Sequence, residues 1–346
     1  MKFLFQRVWI RHGVRGLLES LKGSMRSEGY GRYVRRLELP SRPINHDAMN
    51  PIRFVDILAC CPYLRVLVKP AFYGNIGSDF WSNHIPAEQP QINDVVLTSL
   101  KRLDWTSCGY KGQDTFLGSH SVLSSIILRS PNLRYVSLSW LPGPIFKDVD
   151  RTGYPVLLPS LKTLNFEGDP GLNRRGIQNG DFPNLTHLVL RPFDLHALLP
   201  GNSSILHMIG PQLRTVEFHE DLRGGDHLDP FFKLFSKLQE FAFHVGFPAL
   251  QSSPLLQHFE LKAVHLQIES INHLRETYEA EDLSWEMFGK TFAFFSAHAF
   301  PALQHIILHG EWDSVVHDGQ FRSLRQFVLD RGCSLEYPDG TPVPVR

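Results

Sequence analysis

A phrase close to Pro-x-Leu-x-x-Leu-x-Leu recurs eleven times along the chain. Its clearest copies are Leu133, Val136, Leu138; Leu161, Leu164, Phe166; Leu185, Leu188, Leu190; and Leu213, Val216, Phe218. Upstream copies run through Val34, Leu37, Leu39; Leu64, Leu67; and Leu100, Leu103, Trp105. Later ones are Leu238, Phe241, Phe243; Leu256, Phe259, Leu261; Leu303, Ile306, Leu308; and Leu324, Phe327, Leu329. The last two apolar residues of each phrase alternate with other residues, the period-two mark of a strand with one buried face. The first closes the turn entering that strand. Proline stands two positions before the first apolar residue at Pro62, Pro131, Pro159, Pro183, Pro211, Pro254 and Pro301. Proline ends a helix and favours extended geometry before it, so it marks the corner from helix to strand.

Between the phrases, helical spacing predicts helices over Arg53–Cys60, Ser121–Arg129, Ser204–Ile209, Asp229–Phe235 and Asp282–His298. In the last of these, Trp285, Phe288, Phe292 and Phe295 form one face and read as core. Asp229 is placed as an N-cap with Pro230 first in its helix. A further strand is possible in Val264–Ile268. Loops are expected at Phe72–Pro90, Pro142–Pro155, Pro170–Gly180 and Arg223–Asp226, where Gly, Pro, Asn and Asp concentrate.

Most copies are about 21–36 residues apart, close to the period of leucine-rich repeats. Units this short bury an apolar face only by stacking. The expected fold is α/β: a leucine-rich-repeat solenoid of about eleven irregular repeats, with a curved parallel sheet on the concave side and helices and loops on the convex side. It is expected to run over residues 1–336, with an N-terminal helical cap over 1–30. The prolines of 337–346 predict a fraying tail.

The strand phrase also nominates the residues that face a ligand. Those between and after the apolar positions include Arg102, Asp104, Tyr135, Asn165, Glu167, His187, Arg191, Glu217, His219, Glu240, His244, His258, Glu260, His305 and His309. Gln326, Val328 and Asp330 extend the row. Histidines collect in its C-terminal half, and His219 and His244 are expected to be neighbours, since adjacent strands lie about 4.8 Å apart. Such a surface suits recognition, and histidine makes it a candidate for pH sensitivity. A generic polar sheet face explains the same residues.

Net charge is zero, from 35 basic and 35 acidic residues. Nothing in the sequence reads as the basic stripe expected of a nucleic-acid binder. Four cysteines do not make a disulfide framework, and reduced thiols imply a cytoplasmic or nuclear protein. No apolar run reaches the roughly 18 residues of a membrane span, nor does the amino terminus read as a signal peptide. The sequons at Asn184 and Asn202 are read as chance matches. Phosphate-loop, H-E-x-x-H, G-x-S-x-G and dinucleotide-binding motifs are absent. Cys60 and Cys61 read as the end of a repeat helix, and Cys108 and Cys333 as turn packing after strands. Asp226-His227 and His317-Asp318 are loop pairs without a third partner. The expectation is a protein without enzymatic activity, cofactor or metal.

The segments Ile57-Leu-Ala-Cys-Cys-Pro-Tyr-Leu-Arg-Val-Leu67 and Ile127-Leu-Arg-Ser-Pro-Asn-Leu-Arg-Tyr-Val-Ser-Leu138 resemble repeats of F-box/leucine-rich-repeat proteins, particularly the divergent F-box-like families of mushroom-forming fungi. The opening, from Arg7-Val-Trp-Ile10 to Gly29-Tyr-Gly-Arg-Tyr-Val-Arg-Arg-Leu-Glu-Leu39, is similar to the segment that follows the F-box there. The resemblance implies the substrate-binding part of a ubiquitin-ligase receptor, with a protein ligand on the concave face and neither nucleic acid nor membrane as partner. In that family the F-box is a helical module that docks on the Skp adaptor of a cullin ligase. No such module is visible in this sequence, so adaptor binding is expected only if an F-box lies upstream. The alternative is a leucine-rich-repeat scaffold or small-GTPase regulator unrelated to ubiquitination.

Overall fold

The computed structural model describes residues 6–9, 14–24, 27–39, 54–70, 97–106, 123, 126–139, 158–167, 182–191, 205–219, 228–245, 256–268 and 281–344. The chain forms two compact units, Met1–Leu185 and Thr186–Arg346. Each is an α/β unit built on an open parallel sheet.

In the first unit the strands are β1 (Arg7–Trp9), β4 (Arg36–Glu38), β5 (Val66–Lys69), β6 (Arg102–Thr106), β7 (Tyr135–Ser139) and β8 (Thr163–Glu167), paired in that order. Helix α1 (Val14–Lys22) and a small antiparallel pair, β2 (Gly23–Ser24) and β3 (Ser27–Glu28), lie between β1 and β4. A 3-10 turn over Tyr30–Tyr33 leads into β4. The N-terminal cap is therefore not purely helical, because β1 supplies a strand. Helix α2 (Phe54–Ala59) matches its expected span to within a residue. Leu123 and Ile126–Leu128, inside the expected second helix, are helical, and Leu123, Ile126 and Ile127 are buried.

In the second unit the order is β9 (His187–Arg191), β10 (Thr215–Phe218), β11 (Glu240–His244), β12 (Ala263–Ile268), β13 (His305–Gly310) and β14 (Ser334–Glu336). Its helices are α3 (Ile205–Ile209), α4 (Leu228–Leu234), α5 (Glu281–Phe294), α6 (Asp313–Val316) and α7 (Gly319–Asp330). Asp229 lies inside α4, one residue past its start, not at the cap. Phe288, Phe292 and Phe295 are buried as expected, in a core rich in phenylalanine that includes Phe231, Phe232, Phe241 and Phe243. Ring pairs there are mostly tilted or edge-on, the favoured geometry for aromatic quadrupoles.

Where the repeated phrase forms a strand, it enters it by one turn. The N–H of its first apolar residue donates to the carbonyl three residues earlier: Leu64 to Cys61, Leu133 to Ser130, Leu161 to Leu158, Leu213 to Gly210 and Leu303 to Phe300. Proline takes the second position of that turn, where its fixed φ is pre-set. The corners pack closely on one another. A Cβ on Gly31 would sit 1.9 Å from the Cys60 carbonyl oxygen, and one on Gly210 would sit 2.8 Å from that of Leu234. Asn132 and Asn184 each donate a side-chain amide to the turn of the preceding corner, at Thr98 and Pro159. The Asn184 sequon is thus tied into this turn.

Two copies of the phrase are not strands. Leu256-x-x-Phe259-x-Leu261 precedes β12, and Phe259 is 66% exposed. The strand instead uses Leu261, Val264 and Leu266, the alternative at Val264–Ile268. Leu324-x-x-Phe327-x-Leu329 lies on α7, where Phe321 and Val328 are buried and Phe327 and Leu329 are exposed. Helical spacing wins there because Asp318 Oδ1 accepts the Gln320 N–H and caps the helix. His317-Asp318 is thereby explained as a helix start. Cys333 precedes a strand instead of following one, and its buried Sγ–H donates to the Leu303 carbonyl.

The residues after β14 are ordered by pairing. Tyr337 N–H donates to the Thr341 carbonyl, Val343 N–H donates to that of Leu335, and Val343 is 1% exposed. A fraying tail is not what residues 337–344 form. The expected loops, Cys108, Asn202, Pro254 and Asp226-His227 lie outside the described residues. Among the described residues no helix is long and apolar enough to cross a membrane.

Candidate functional site

Strand alternation gives each sheet a core face and a face turned away from the core. Registered pairing places the outward side chains in columns across neighbouring strands. Each unit carries its own outward patch.

In the first unit, Arg102 and Asp104 project two residues apart on β6. The guanidinium Nε and Nη2 donate to the two carboxylate oxygens of Asp104 at 2.8 and 3.2 Å. The same guanidinium carbon lies 4.3 Å from the centre of the Tyr135 ring on β7. Tyr135 Oη accepts a long 3.4 Å bond from Asn165 Nδ2 on β8. Asn165 is 4% exposed, and its Oδ1 has no hydrogen-bond partner among the described residues. Four predicted residues on three strands thus form one chain of contacts. Further along, Glu38 accepts from both Arg7 and Arg36, so these arginines are neutralised in part by their own sheet. Glu167 ends β8, and its side chain lies outside the described residues.

In the second unit the patch centres on Glu217 of β10. His187 Nε2 on β9 donates to one carboxylate oxygen at 2.8 Å, and His219 Nε2 approaches the other at 3.3 Å. These hydrogen bonds, His187 first, hold the Glu217 carboxyl well below the usual carboxylate range. The His219 and His244 rings are 6.3 Å apart, as their adjacent strands require. On β13, His305 Nδ1 lies 2.6 Å from Glu336 Oε1 and 2.9 Å from Ser334 Oγ. The Ser334 hydroxyl, followed by His305, keeps Glu336 ionised to lower pH than usual. Glu240 opens β11, exposed, within 3.3 Å of Thr215 Oγ1. Arg191 ends β9.

His258 and Glu260 do not join this surface. His258 is buried beside Phe232 and Phe300, and its Nε2–H donates to the Phe235 carbonyl at 2.9 Å. Burial pushes its pKa down. Glu260 is exposed in the corner before β12. Gln326, Val328 and Asp330 sit on α7, where Gln326 bonds Asp330 one turn on.

Sequence reasoning missed His265, which takes the place assigned to His258 and Glu260. It pairs in register with Ala242 and Ile307. Its Nδ1 lies 2.9 Å from His309 Nε2, so one ring donates and the other accepts. Both titrate below the ordinary histidine value. Burial is the main cause in each, followed at His265 by His309. The available signal was the unbroken alternation Val264, Leu266, Ile268.

Lys69 was also missed. It occupies a core column of β5 beside Trp105 and is 3% exposed. Its Nζ donates to the Thr106 carbonyl at 3.2 Å and lies 5.2 Å from the Trp105 ring centre. Among the described residues no group of three or more His, Cys, Asp or Glu side chains is placed to hold a metal ion. The three described thiols are poor nucleophiles: burial pushes Cys61 up to about 12 and also raises Cys60 and Cys333.

No protein-family model matches the chain, and no curated protein matches it.

Proposed function

We propose that this protein is a non-enzymatic recognition module, a leucine-rich-repeat solenoid whose outward sheet face binds another protein. The observation that carries the reading is the Asp104–Arg102–Tyr135–Asn165 chain of contacts. An arginine and a tyrosine, the residue types that dominate binding hot spots, are held in place before any partner arrives. Less side-chain freedom is then lost on association. The Glu217 cluster supplies a second anchored group of opposite charge character. The parallel sheet and repeated corner support the repeat class, and the resemblance to F-box/leucine-rich-repeat proteins makes the bound protein a ubiquitin-ligase substrate. A cullin-ligase link through the Skp adaptor belongs to this proposal only where an F-box accompanies the chain.

The test is quantitative affinity-purification mass spectrometry on matched variants. Arg102→Ala with Tyr135→Ala, and Glu217→Lys with Glu240→Lys, are expected to lose partners that the parent retains. Glu260→Lys, off the face, is expected to keep them. Partners indifferent to both face variants would end the proposal. Skp-adaptor pull-down from the full gene product tests the ligase link separately.

A further inference from the structure

The residue that follows the first apolar residue of each corner forms a row of its own. In the first unit this position is Arg35, Arg65, Lys101, Arg134 and Lys162, basic at five successive rungs. The row is fixed by backbone hydrogen bonds: Arg65 N–H to the Arg35 carbonyl, Lys101 to Arg65, Arg134 to Lys101 and Lys162 to Arg134, at 2.8–2.9 Å. These five residues are about 30 apart in sequence, so their adjacency appears only once the strands are in register.

Among the described residues, no carboxylate neutralises the row. Arg65, Lys101, Arg134 and Lys162 are exposed, and no side-chain hydrogen bond or ion pair among the described residues engages them. This contrasts with Arg7, Arg36 and Arg102, each held by a carboxylate. The corner segments 29–35, 60–65, 97–101, 129–134 and 158–162 contain no Asp or Glu. Arg35 is anchored at one end by the Arg32 carbonyl and lies 5.2 Å from the Tyr63 ring centre. The corner itself does not demand a base. The same position in the second unit holds Thr186, Arg214, Gln239, Lys262 and Gln304, where neutral residues make the same backbone ladder.

We infer that this edge of the first unit is a docking strip for an extended acidic polypeptide segment. Five rungs cover four gaps of about 4.8 Å, or roughly 19 Å, the reach of about six residues of extended chain. Like charges at this spacing repel one another, and an anionic strand laid along them removes that repulsion. Two positions before each base stand Tyr33, Tyr63, Ser99, Asn132 and Ser160. Three of the five rungs therefore lack an aromatic platform for a stacked base, and Tyr33 and Tyr63 already lie against Arg32 and Arg35, which favours peptide over single-stranded nucleic acid. The strip borders the outward face, with Lys101 next to Arg102 and Arg134 next to Tyr135, and the two proposals are told apart because each variant set leaves the other set's residues in place.

Fluorescence anisotropy with a labelled hexaglutamate peptide tests the inference on the full chain, beside an oligothymidylate of equal charge. Expected are saturable hexaglutamate binding that weakens steeply with salt and at least about a tenfold loss in Lys101→Glu/Arg134→Glu/Lys162→Glu, from exposed charge pairs acting together. The alanine triple variant should lose less. Glu217→Lys/Glu240→Lys should bind as the parent does or more tightly, and a control reversing Lys22, Lys233 and Arg322 should lose far less than the strip variant. Equal binding by the strip variant and that control would overturn the docking strip. So would the absence of hexaglutamate binding at low salt, or tighter binding of oligothymidylate. Circular dichroism on each variant confirms that the comparison is between folded proteins.

Discussion

His265 Nδ1 and His309 Nε2 lie 2.9 Å apart across β12 and β13, an arrangement that requires at least one of the two facing nitrogens to be unprotonated. Glu217 and Glu240 favour a positive charge on His265, Glu217 alone does so on His309, and neighbouring His305 and His244 share the face. Burial nevertheless dominates both rings and lowers their pKa values. An unfolded histidine titrates near about 6.5. The unfolded chain therefore takes up these protons first as pH falls, and stability present above about 6.5 is lost below it. Urea unfolding at stepwise pH should show this slope, and a His265→Gln/His309→Gln variant should show a shallower one. Equal slopes would refute the coupling.

His258 predicts a separate effect on stability. His258→Ala removes the donor to the Phe235 carbonyl and opens space beside Phe232 and Phe300. The expected loss is about 2–4 kcal/mol, from a lost buried hydrogen bond and a cavity together, the Phe235 carbonyl keeping the Leu238 N–H. Thermal and denaturant melts of the variant measure it. A near-neutral result would mean that His258 is not enclosed.

Phenylalanines on α7 distinguish helix from strand. Phe321→Ala should cost about 3–5 kcal/mol, while Phe327→Ala should stay near 1 kcal/mol or below, because Phe321 is buried and Phe327 exposed. A strand in that segment reverses the order. The same comparison applies around β12: Leu266→Ala should cost about 2–5 kcal/mol and Phe259→Ala far less. Chemical denaturation of the four variants reads both pairs.

Gly31→Ala and Gly210→Ala test the stacking of the corners. A methyl group at either position meets the next corner's carbonyl within 3 Å. The predicted cost is about 1–3 kcal/mol each, the range for overpacking. Gly16→Ala, on α1 with open space around it, should be neutral or stabilising. Melting temperatures of the three variants check the ranking.

The parallel strands and the corner were legible in the sequence because each copy repeats one local solution: a turn, then alternation against a core. Leu100, Leu103 and Trp105 announce β6 without help from the rest of the fold. Frame was harder where two phrases overlap. Leu261 serves both Leu256-x-x-Phe259-x-Leu261 and Leu261-x-x-Val264-x-Leu266, and burial chooses the second. Near the C terminus, a period of two competes with the helical spacing of Phe321 and Val328, and the Asp318 cap decides it. Of the candidate site, Arg102, Asp104, Tyr135 and the Glu217 cluster follow from strand position alone. The His265–His309 pair and Lys69 depend on which strands adjoin, which no single phrase encodes.

The turn after β14 has a consequence for self-association. Glu336 bridges Pro342 antiparallel, and Val343 is seated against Leu335. Proline has no N–H to offer a further strand, and the segment covers a ladder of otherwise open donors and acceptors. Residues 337–344 thus act as a stopper on the last rung. Without them, the edge of β14 would present its open donors and acceptors as a template for another strand.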